Sequence, residues 1–250
     1  MLNLSTDYFD DLMVRMAHHS TAIEGNSLSQ GETKSILIDG YIPRSMDMRE
    51  LHEVLNYKKF MPEMLEGLHK KAEITPDFIQ LVHAVLCYEA IESVPGKFKV
   101  APNMIVGANF ETTPPYLVTT ELENWRQNLK YQLIHAKNNN DVVEGICRQH
   151  IQFEHIHPFP DGNGRVGRAL MIYSCLLKQV PPIVVPVEEK KKYINYLNTE
   201  NLKGLIDFSI ELQKKEIERI KAFDHGNEKN FSVQNVFQNN KISLDNGLSR

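Results

Sequence analysis

Apolar residues recur every three or four positions along most of the chain, the spacing that puts them on one face of an α-helix. The first such stripe runs through residues 9–17, and Gly25 supplies a stop signal after it. Ser29 and Glu32 make a capping-box pattern, which predicts a short second helix that ends at Gly40. The N-terminal part of the chain is therefore predicted to be helical.

The same helical spacing continues through most of the remaining sequence. Thr75 followed by Pro76 is a typical N-cap and first-turn pair, and Thr120 with Glu123 is interpreted as the start of a later helix. The run 169–177 is apolar on nearly every face, which predicts a central, buried helix. Further helical stripes are predicted around 51–55, 78–86, 122–129, 143–153, 193–197 and 205–220.

The pattern changes over residues 97–118, where the hydrophobic period falls toward two. β-forming residues surround 104–107, and a Thr-Thr-Pro-Pro breaker follows at 112–115. We therefore predict one β-hairpin here, and because a lone hairpin is marginally stable it must pack on the helices or on a ligand. The predicted fold class is all-α, mainly helical, with a single hairpin.

Bulk composition bounds the domain organisation. A chain of 250 residues with 42% hydrophobic and 24% charged residues fits one globular domain, which we expect to cover residues 1–223. From 224 to 250 the sequence is rich in Asn, Ser, Lys and Asp without periodicity, which indicates a flexible C-terminal tail. The formal net charge of −4 argues against a nucleic-acid or anionic-membrane partner, because both favour a basic face.

Cysteine usage and hydropathy predict the compartment. Cys87, Cys147 and Cys175 are odd in number and lie in apolar helical patterns, so they are interpreted as reduced core residues. The N-terminus lacks a signal-peptide pattern, and no apolar run reaches the length of about 20 residues that spans a bilayer. A cytoplasmic protein is expected.

Candidate chemistry concentrates in residues 157–168, which read His-Pro-Phe-Pro-Asp-Gly-Asn-Gly-Arg-Val-Gly-Arg. Pro158 disfavours helical geometry at His157, which leaves that side chain at a helix exit. Residues 162–164, Gly-Asn-Gly, can form a turn with positive φ angles whose N–H groups make an anion nest. A helix that begins near Asn163 would point its N-terminal dipole at the same anion.

Charged residues around this turn complete a phosphate site. Arg165 and Arg168 lie one helical turn apart, so both guanidinium groups can face the anion. Asp161 is placed to hold Mg²⁺ beside phosphate oxygens. The imidazole of His157, with an unperturbed pKa of about 6.5, can accept a proton from a hydroxyl. The pattern predicts phosphate-centred transfer chemistry.

Three other interpretations were weighed for the same stretch. The run 162–167 satisfies Gly-x-Gly-x-x-Gly and Glu188 lies at a suitable distance, but that dinucleotide fingerprint requires a preceding strand and the preceding run is helical. His150, His155 and His157 could ligate a metal, although their spacing fits no zinc pattern. A solvated loop is the third interpretation, and it leaves the combination of residue types unexplained.

The segment 157–168 resembles the signature H-x-F-x-[DE]-G-N-G-R-x-x-R of the Fic family, with every fixed position present. The likeness extends from about residue 8 to about 222. It implies a mainly helical Fic fold in which the hairpin is a flap. It also implies a protein adenylyltransferase that moves AMP from ATP to a Ser, Thr or Tyr hydroxyl of a target protein and releases pyrophosphate.

The resemblance also implies a role for individual residues. His157 is similar to the general base and Asp161 to the Mg²⁺ ligand. ATP is expected to be bound by the anion-hole residues Gly162, Asn163, Gly164 and Arg165, by Arg168 at the γ-phosphate, by the flap residues Met104, Ile105, Val106 and Gly107, and by Tyr193 and Asn201 at the nucleoside. The flap is expected to dock an extended segment of the target by β-augmentation.

A second motif implies regulation. Residues 20–26, Ser-Thr-Ala-Ile-Glu-Gly-Asn, resemble the inhibitory motif [ST]-x-x-x-E-[GN], which lies here on an N-terminal helix predicted over about 8–25. Without the first motif, Glu24 would be interpreted as a surface residue at a helix end. The resemblance implies that Glu24 pairs with Arg168, takes the place of the γ-phosphate and inhibits transfer.

Other functions stay open at this stage. The same site can run in reverse, with Glu24 positioning water to remove AMP from a modified protein, and a non-catalytic nucleotide-binding module is a further alternative. Self-modification is possible. Relatives with altered signatures transfer phosphate, phosphocholine or UMP, whereas the unbroken motif favours ATP. The sequence identifies neither the target nor the oligomeric state.

Overall fold

The computed structural model describes residues 4–105 and 110–224, and within them the chain is mainly helical with no strand. A π-helical turn covers Ser35–Asp39, and short 3₁₀ helices cover Pro115–Leu117 and Val187–Glu189. The α-helices, in chain order, are α1 (Thr6–Ile23), α2 (Gln30–Lys34), α3 (Met48–Lys70), α4 (Pro76–Leu86), α5 (Val118–His135), α6 (Asn139–Ile156), α7 (Asn163–Leu177), α8 (Lys190–Asn198) and α9 (Leu202–Asp224).

Local capping sets where several helices begin. Ser29 and Glu32 form the predicted capping box at α2, each side chain bonding the other's backbone N–H. The Thr75 hydroxyl accepts from the N–H of Phe78 at the start of α4, as its position before a proline predicts. Asn138 caps α6 by accepting from the N–H of Asp141.

The predicted capping pair at Thr120 is wrong. Helix α5 already begins at Val118, without a side-chain cap. The reason is the 3₁₀ helix Pro115–Leu117, whose turn continues directly into α5, so the chain needs no new start signal two residues later.

The predicted hairpin over 97–118 is not seen in the described residues: 97–105 and 110–114 form no strand, and 115–118 are helical. The two legs are joined through side chains instead of a ladder. The Thr112 hydroxyl bonds to the backbone oxygen of Asn103 at 2.8 Å. Val106 and Gly107 lie outside the described residues.

Helices α6 and α7 form the centre of the fold. Helix α6 packs against α5, α7 and α9, and α7 also packs against α4, α1 and α3. Every residue of α7 from Arg165 to Leu176 is buried, which confirms the prediction of a central, buried helix. The loop between α6 and α7 therefore joins two buried helices, which fix the positions of its two ends.

Helix α1 lies across this centre and is anchored on α9. It begins at the N-cap Ser5 and ends before Gly25, whose φ of 109° suits glycine, close to the predicted limits of 8–25. Arg15 donates two hydrogen bonds to the carboxylate of Glu216, at 2.7 and 2.9 Å, and the Tyr8 hydroxyl donates to the same group. This buried network fixes the N-terminal half of α1.

The remaining expectations have mixed outcomes. Cys87, Cys147 and Cys175 are buried and unbridged, as predicted for core residues. Within the described ranges, no helix combines the length and the apolar character needed to cross a bilayer. The tail was predicted from residue 224, but α9 continues through Asp224, and residues 225–250 lie outside the description.

Candidate active site

A cavity of about 600 Å³ opens where the ends of α1, α6, α7 and α8 meet. Basic and acidic side chains converge on it from α3, α6, α7 and α8, from the end of α1 and from the loop before α7. Most of the residues singled out by the sequence line it: Glu24, Ile105, His157, Asp161, Gly162, Asn163, Gly164, Arg165, Arg168 and Tyr193.

His157 occupies the exit of α6. Its backbone adopts the left-handed conformation, with φ of 48°, which ends the helix just before Pro158. Burial lowers the pKa of its imidazole to about 4, and the charge of Lys99 acts in the same direction. The ring is therefore neutral at pH 7, and its Nδ1 has no hydrogen-bond partner within the described part of the chain. A neutral imidazole is the form that can accept a proton.

The glycine-containing turn is tighter than the sequence predicted. Only Gly162 has a positive φ, of 75°, as the N-cap of α7, whereas Asn163 and Gly164 already belong to the helix. The Asn163 amide closes the loop by exchanging two hydrogen bonds of 2.8 Å with the backbone of Phe159. Glycine at position 164 leaves room for the Glu24–Arg168 pair, since a Cβ there would lie 2.7 Å from Glu24 Oε1 and 2.8 Å from Arg168 Nη1.

Arg165 presents a buried guanidinium that is paired with a carboxylate but does not use all of its donors. Its Nε lies 2.8 Å from Glu24 Oε2, with Asp161 and Glu53 farther away at 3.8 and 3.9 Å. Nevertheless, its Nε and Nη1 form no directed hydrogen bond to any described residue. A buried cation with open donors beside a cavity is an arrangement suited to an anionic ligand.

Arg168 is held by the end of α1. Its Nε donates to Ser20 Oγ at 2.9 Å, and its Nη2 donates to the backbone oxygen of Ser20 at 3.0 Å and to Glu24 Oε1 at 2.6 Å. Burial disfavours its charge, but the Glu24 carboxylate raises the pKa of the guanidinium above its ordinary value. The predicted pairing is present. The two carboxylate oxygens contact different arginines, Oε1 contacting Arg168 and Oε2 contacting Arg165, so neither guanidinium is bound bidentately.

Asp161 fits a magnesium ion better than the other carboxylates of the cavity do. Its side chain is 64% exposed, against 27% for Glu24, 9% for Glu154 and 4% for Glu53. Magnesium keeps several of its waters and binds through one or two carboxylates plus phosphate, so it requires an exposed carboxylate beside an anion site. Of these four residues, Asp161 meets that requirement.

His83 supports the loop from below, although sequence reasoning did not select it. Its Nδ1 accepts from the N–H of Gly96 at 2.7 Å, so its Nε2 carries the proton and donates to the backbone oxygen of Asp161 at 3.0 Å. The ring stacks on Phe159 with centroids 3.8 Å apart. Burial lowers the pKa of His83 to about 4, which preserves this neutral form.

Lys99 and Asn103 hold the same loop from the side. The Lys99 ammonium bonds to Asn103 Oδ1 at 2.7 Å, and the amide of Asn103 donates to the backbone oxygen of Phe159 at 2.8 Å. The backbone N–H of Lys99 donates to the oxygen of Pro158. The segment predicted as a flap is therefore tied to the signature loop at its base.

The predicted nucleoside and flap residues are not all brought to the cavity. Tyr193 lines it, fully buried, with its hydroxyl 2.6 Å from His150 Nε2. Asn201 is exposed, and its side chain accepts from the N–H of Gly204 at the start of α9, outside the cavity lining. Ile105 is part of the lining, whereas Met104 is 91% exposed.

Comparison with known proteins gives a consistent result. Residues 73–175 match the model of the Fic/DOC family. The chain is 29% identical over 195 residues to "Protein adenylyltransferase fic-1" of Caenorhabditis elegans and over 188 residues to "Protein adenylyltransferase Fic" of Drosophila melanogaster. These alignments cover 76% and 74% of the chain but only 37% and 36% of the relatives, so the chain spans little more than a third of their length.

Solved structures show the same fold. A Fic domain containing signaling protein from Bacteroides thetaiotaomicron superposes with a TM-score of 0.72 at 22% identity, covering 85% of this chain and 86% of that one. Residues 134–508 of Fic-1 from C. elegans superpose with a TM-score of 0.68 at 27% identity, covering 88% of this chain and 63% of that one.

Proposed function

We propose that this chain, whose residues 73–175 match the Fic/DOC family model, transfers AMP from ATP to a hydroxyl group of a target protein. One observation carries the proposal. A single cavity contains a neutral imidazole, two buried guanidinium groups and the N-terminus of a helix, which are the groups needed to activate a hydroxyl beside a bound polyphosphate.

The triphosphate would lie along the first turn of α7. Arg165, with its unused donors, and the N–H groups at the start of the helix bind the α- and β-phosphates. Arg168 binds the terminal phosphate once Glu24 no longer occupies it. Asp161 is the residue that would hold Mg²⁺, which supplies charge neutralisation between phosphate oxygens when bound.

The transfer step follows from the state of His157. Its neutral imidazole takes the proton of a Ser, Thr or Tyr hydroxyl as the hydroxyl oxygen forms a bond to the α-phosphorus. The bond from the α-phosphorus to the bridging oxygen breaks, and pyrophosphate leaves with its electron pair. The donors of Arg165 and Arg168 stabilise the negative charge that develops on the phosphates.

Glu24 would inhibit this step from the end of α1. Its carboxylate bonds to Arg168 and approaches Arg165, so it holds the charge and space that the terminal phosphate requires. A triphosphate bound beside it would be displaced along the cavity, and a displacement of about 1 Å can lower a rate about a hundredfold. Inhibition therefore needs no change elsewhere in the fold.

The target would approach beside Ile105. This residue lines the cavity, and the exposed Met104 precedes it. An extended target segment can pair with backbone groups of this part of the chain by β-augmentation. Backbone pairing requires the target segment to be extended but places little restriction on its side chains.

Label transfer from α-³²P-ATP with Mg²⁺ tests the proposal, with and without cell lysate to separate self-modification from target modification. Glu24→Gly is expected to raise labelling by up to about a hundredfold. Adding His157→Ala to that variant is expected to reduce labelling by about a thousandfold, because the base is lost. Glu92→Gly, an exposed loop substitution, is the matched control and should leave labelling unchanged.

Two results would reject parts of this assignment. Equal labelling by wild type and Glu24→Gly would remove the inhibitory role. Binding of ATP without labelling in any variant would favour a non-catalytic nucleotide-binding module.

The reverse reaction is a second candidate, because Glu24 and His157 line the same cavity and a carboxylate there can position water. Removal of AMP from a modified target by wild type but not by Glu24→Ala would support this second role.

A further inference from the structure

Glu154 has a buried carboxyl group that lines the proposed nucleotide cavity. It lies outside the family signature. It lies on α6 one turn before His157, lines the same cavity and is 7% exposed. Its Oε1 atom is buried and has no hydrogen-bond partner within the described residues. The nearest basic nitrogen, His150 Nε2, is 4.0 Å away and is already bonded to the hydroxyl of Tyr193 at 2.6 Å.

The neighbouring helix is built to admit this carboxyl group. A Cβ at position 167 would lie 2.5 Å from Glu154 Oε1 and 3.1 Å from atoms of His150 and Phe153. Glycine at position 167 is therefore required for Glu154 to lie where it does. Neither residue is a fixed position of the signature, because Glu154 precedes it and Gly167 is one of its variable positions.

Four ionisable groups of the described residues surround Glu154 from the helices packed around it. His150 lies on its own helix, Arg168 on α7, Tyr193 on α8, and Glu24 acts from the end of α1. Burial lowers the pKa of His150 to about 3, so it carries no charge near neutrality. Burial raises the pKa of Glu154 to about 7, against the lowering effect of Arg168 and together with Glu24.

The charge balance among Glu154 and these four groups, here called the cluster, depends on which anion is bound to Arg168. While Glu24 is bound, a second carboxylate beside Arg168 would be in excess, and Glu154 is favoured as a neutral acid. When Glu24 withdraws, Arg168 becomes a buried cation without a counterion, which is strongly unfavourable. Glu154 is the remaining buried carboxyl group of the cluster.

We propose that Glu154 is a positioning residue that holds Arg168 as a carboxylate when the cavity is open and empty, and releases it as a neutral acid when a nucleotide's terminal phosphate binds. The proton that Glu154 gains comes from solvent. This inference rests on the proposed function, because it requires a polyphosphate at Arg168. It implies that nucleotide binding is coupled to proton uptake.

Calorimetry measures this coupling directly. Binding of Mg·ATP is compared in Glu24→Gly and in Glu24→Gly with Glu154→Gln, at pH 6, 7 and 8 and in two buffers of different ionisation enthalpy. The first variant is expected to take up roughly half a proton or more at pH 7 and to bind roughly tenfold more weakly at pH 8 than at pH 6. Protonation of ATP itself is common to both variants and cancels in the comparison.

With Glu154→Gln, the additional proton uptake is expected to disappear, and affinity at pH 8 is expected to exceed that of the Glu154 protein by roughly tenfold. Affinity at pH 6 should be equal in the two. Glu154→Met, which is also unbranched and cannot titrate, carries the same expectation if the glutamine variant folds poorly. As a control, Glu144→Gln at an exposed position of the same helix is added to Glu24→Gly, and this double variant should behave like Glu24→Gly alone.

Equal proton uptake with and without Glu154 would overturn the inference while leaving the proposed function intact. Weaker binding by the glutamine variant at pH 6 would also overturn it, because Glu154 would then contact the ligand directly. Absence of ATP binding in every variant would reject the inference and the proposed function together.

Discussion

The two walls of the cavity are held in different ways. On one wall, the side chains of His83, Asn103 and Asn163 bond to backbone atoms of residues 159–161, so the loop between α6 and α7 is fixed from below, from the side and from within. On the other wall, the end of α1 reaches the cavity through the carboxylate of Glu24, which is 27% exposed and is bound by side chains alone.

This difference separates a permanent part of the site from a replaceable part. Backbone atoms that are bonded from several elements cannot move independently, which would preorganise the proposed base and anion site. A single carboxylate between two arginines can be exchanged for another anion with little change in the fold. We therefore expect substitutions in the first wall to remove activity and stability together, and substitutions in the second wall to change activity with smaller effects on stability.

Among the side chains that hold the two walls in place, His83 should give the largest effect when its ring is removed. His83→Ala leaves the N–H of Gly96 and the oxygen of Asp161 without their partners and removes the stacking on Phe159. We expect a loss of about 2–4 kcal/mol in the free energy of unfolding. Label transfer in the Glu24→Gly background should fall on the order of a hundredfold, because the loop that carries Asp161 loses its position.

Urea unfolding and initial rates of labelling measure the two effects. His135→Ala, at an exposed histidine of α5, is the control and should change neither. If His83→Ala kept full transfer activity while losing stability, the first wall would not be coupled to the chemistry.

Acid should weaken the first wall. Burial lowers the pKa of His83 and of His157 to about 4, whereas an unfolded chain has histidine pKa values near about 6.5. Because the unfolded state binds protons more readily, the stability from each neutral ring is present above pH 6.5 and is lost as pH falls toward 4. Each ring should contribute a slope of about 1.4 kcal/mol per pH unit in that window.

Urea unfolding of wild type and His83→Gln at pH 7.5, 6.0 and 5.0 checks this slope. The variant should lose less stability than wild type on acidification, by on the order of 2 kcal/mol at pH 5. Protonation of Glu154 works in the opposite direction between pH 7 and 4.5, but equally in both proteins. Parallel pH profiles would show that His83 is not held neutral by the fold.

Sequence reasoning succeeded where a local pattern determines a local structure. The cap at Ser29, the break at Pro158 and the glycine at position 162 each act on their immediate neighbours, and each lies where the pattern predicted. The pairing of Glu24 with Arg168 joins residues 144 positions apart, and it followed from the resemblance to a family and not from spacing.

What sequence reasoning missed depends on contacts between distant elements. His83 lies one turn after Ile79 on the buried face of α4, and a polar residue on an apolar stripe was the available signal. Lys99 and Asn103 gave no such signal, because Lys99 bonds to the Asn103 side chain and Asn103 in turn bonds to a backbone oxygen of the signature loop. The alternation of apolar and polar residues over 97–118 suggested a β-hairpin. In the described residues, side-chain hydrogen bonds to the signature loop hold this segment instead.

Ser20 should give the smallest effect and sharpens the description of the second wall. Its hydroxyl accepts from Arg168 Nε at 2.9 Å, and its backbone oxygen accepts from Nη2, so α1 contributes fixed contacts as well as the exchangeable carboxylate. These contacts do not compete with a phosphate at the position of Glu24. Ser20 is therefore expected to position Arg168 in the active state too.

Ser20→Ala tests this in the Glu24→Gly background. One hydrogen bond to a buried cation is lost, so we expect the KM for ATP to rise about three- to tenfold with kcat nearly unchanged, and stability to fall by about 1 kcal/mol. Initial rates at varied ATP concentration give both constants, and Ser45→Ala, at an exposed serine, is the matched control. An increase in transfer would instead place Ser20 with Glu24 among the inhibitory contacts, and the second wall would then be replaceable as a whole.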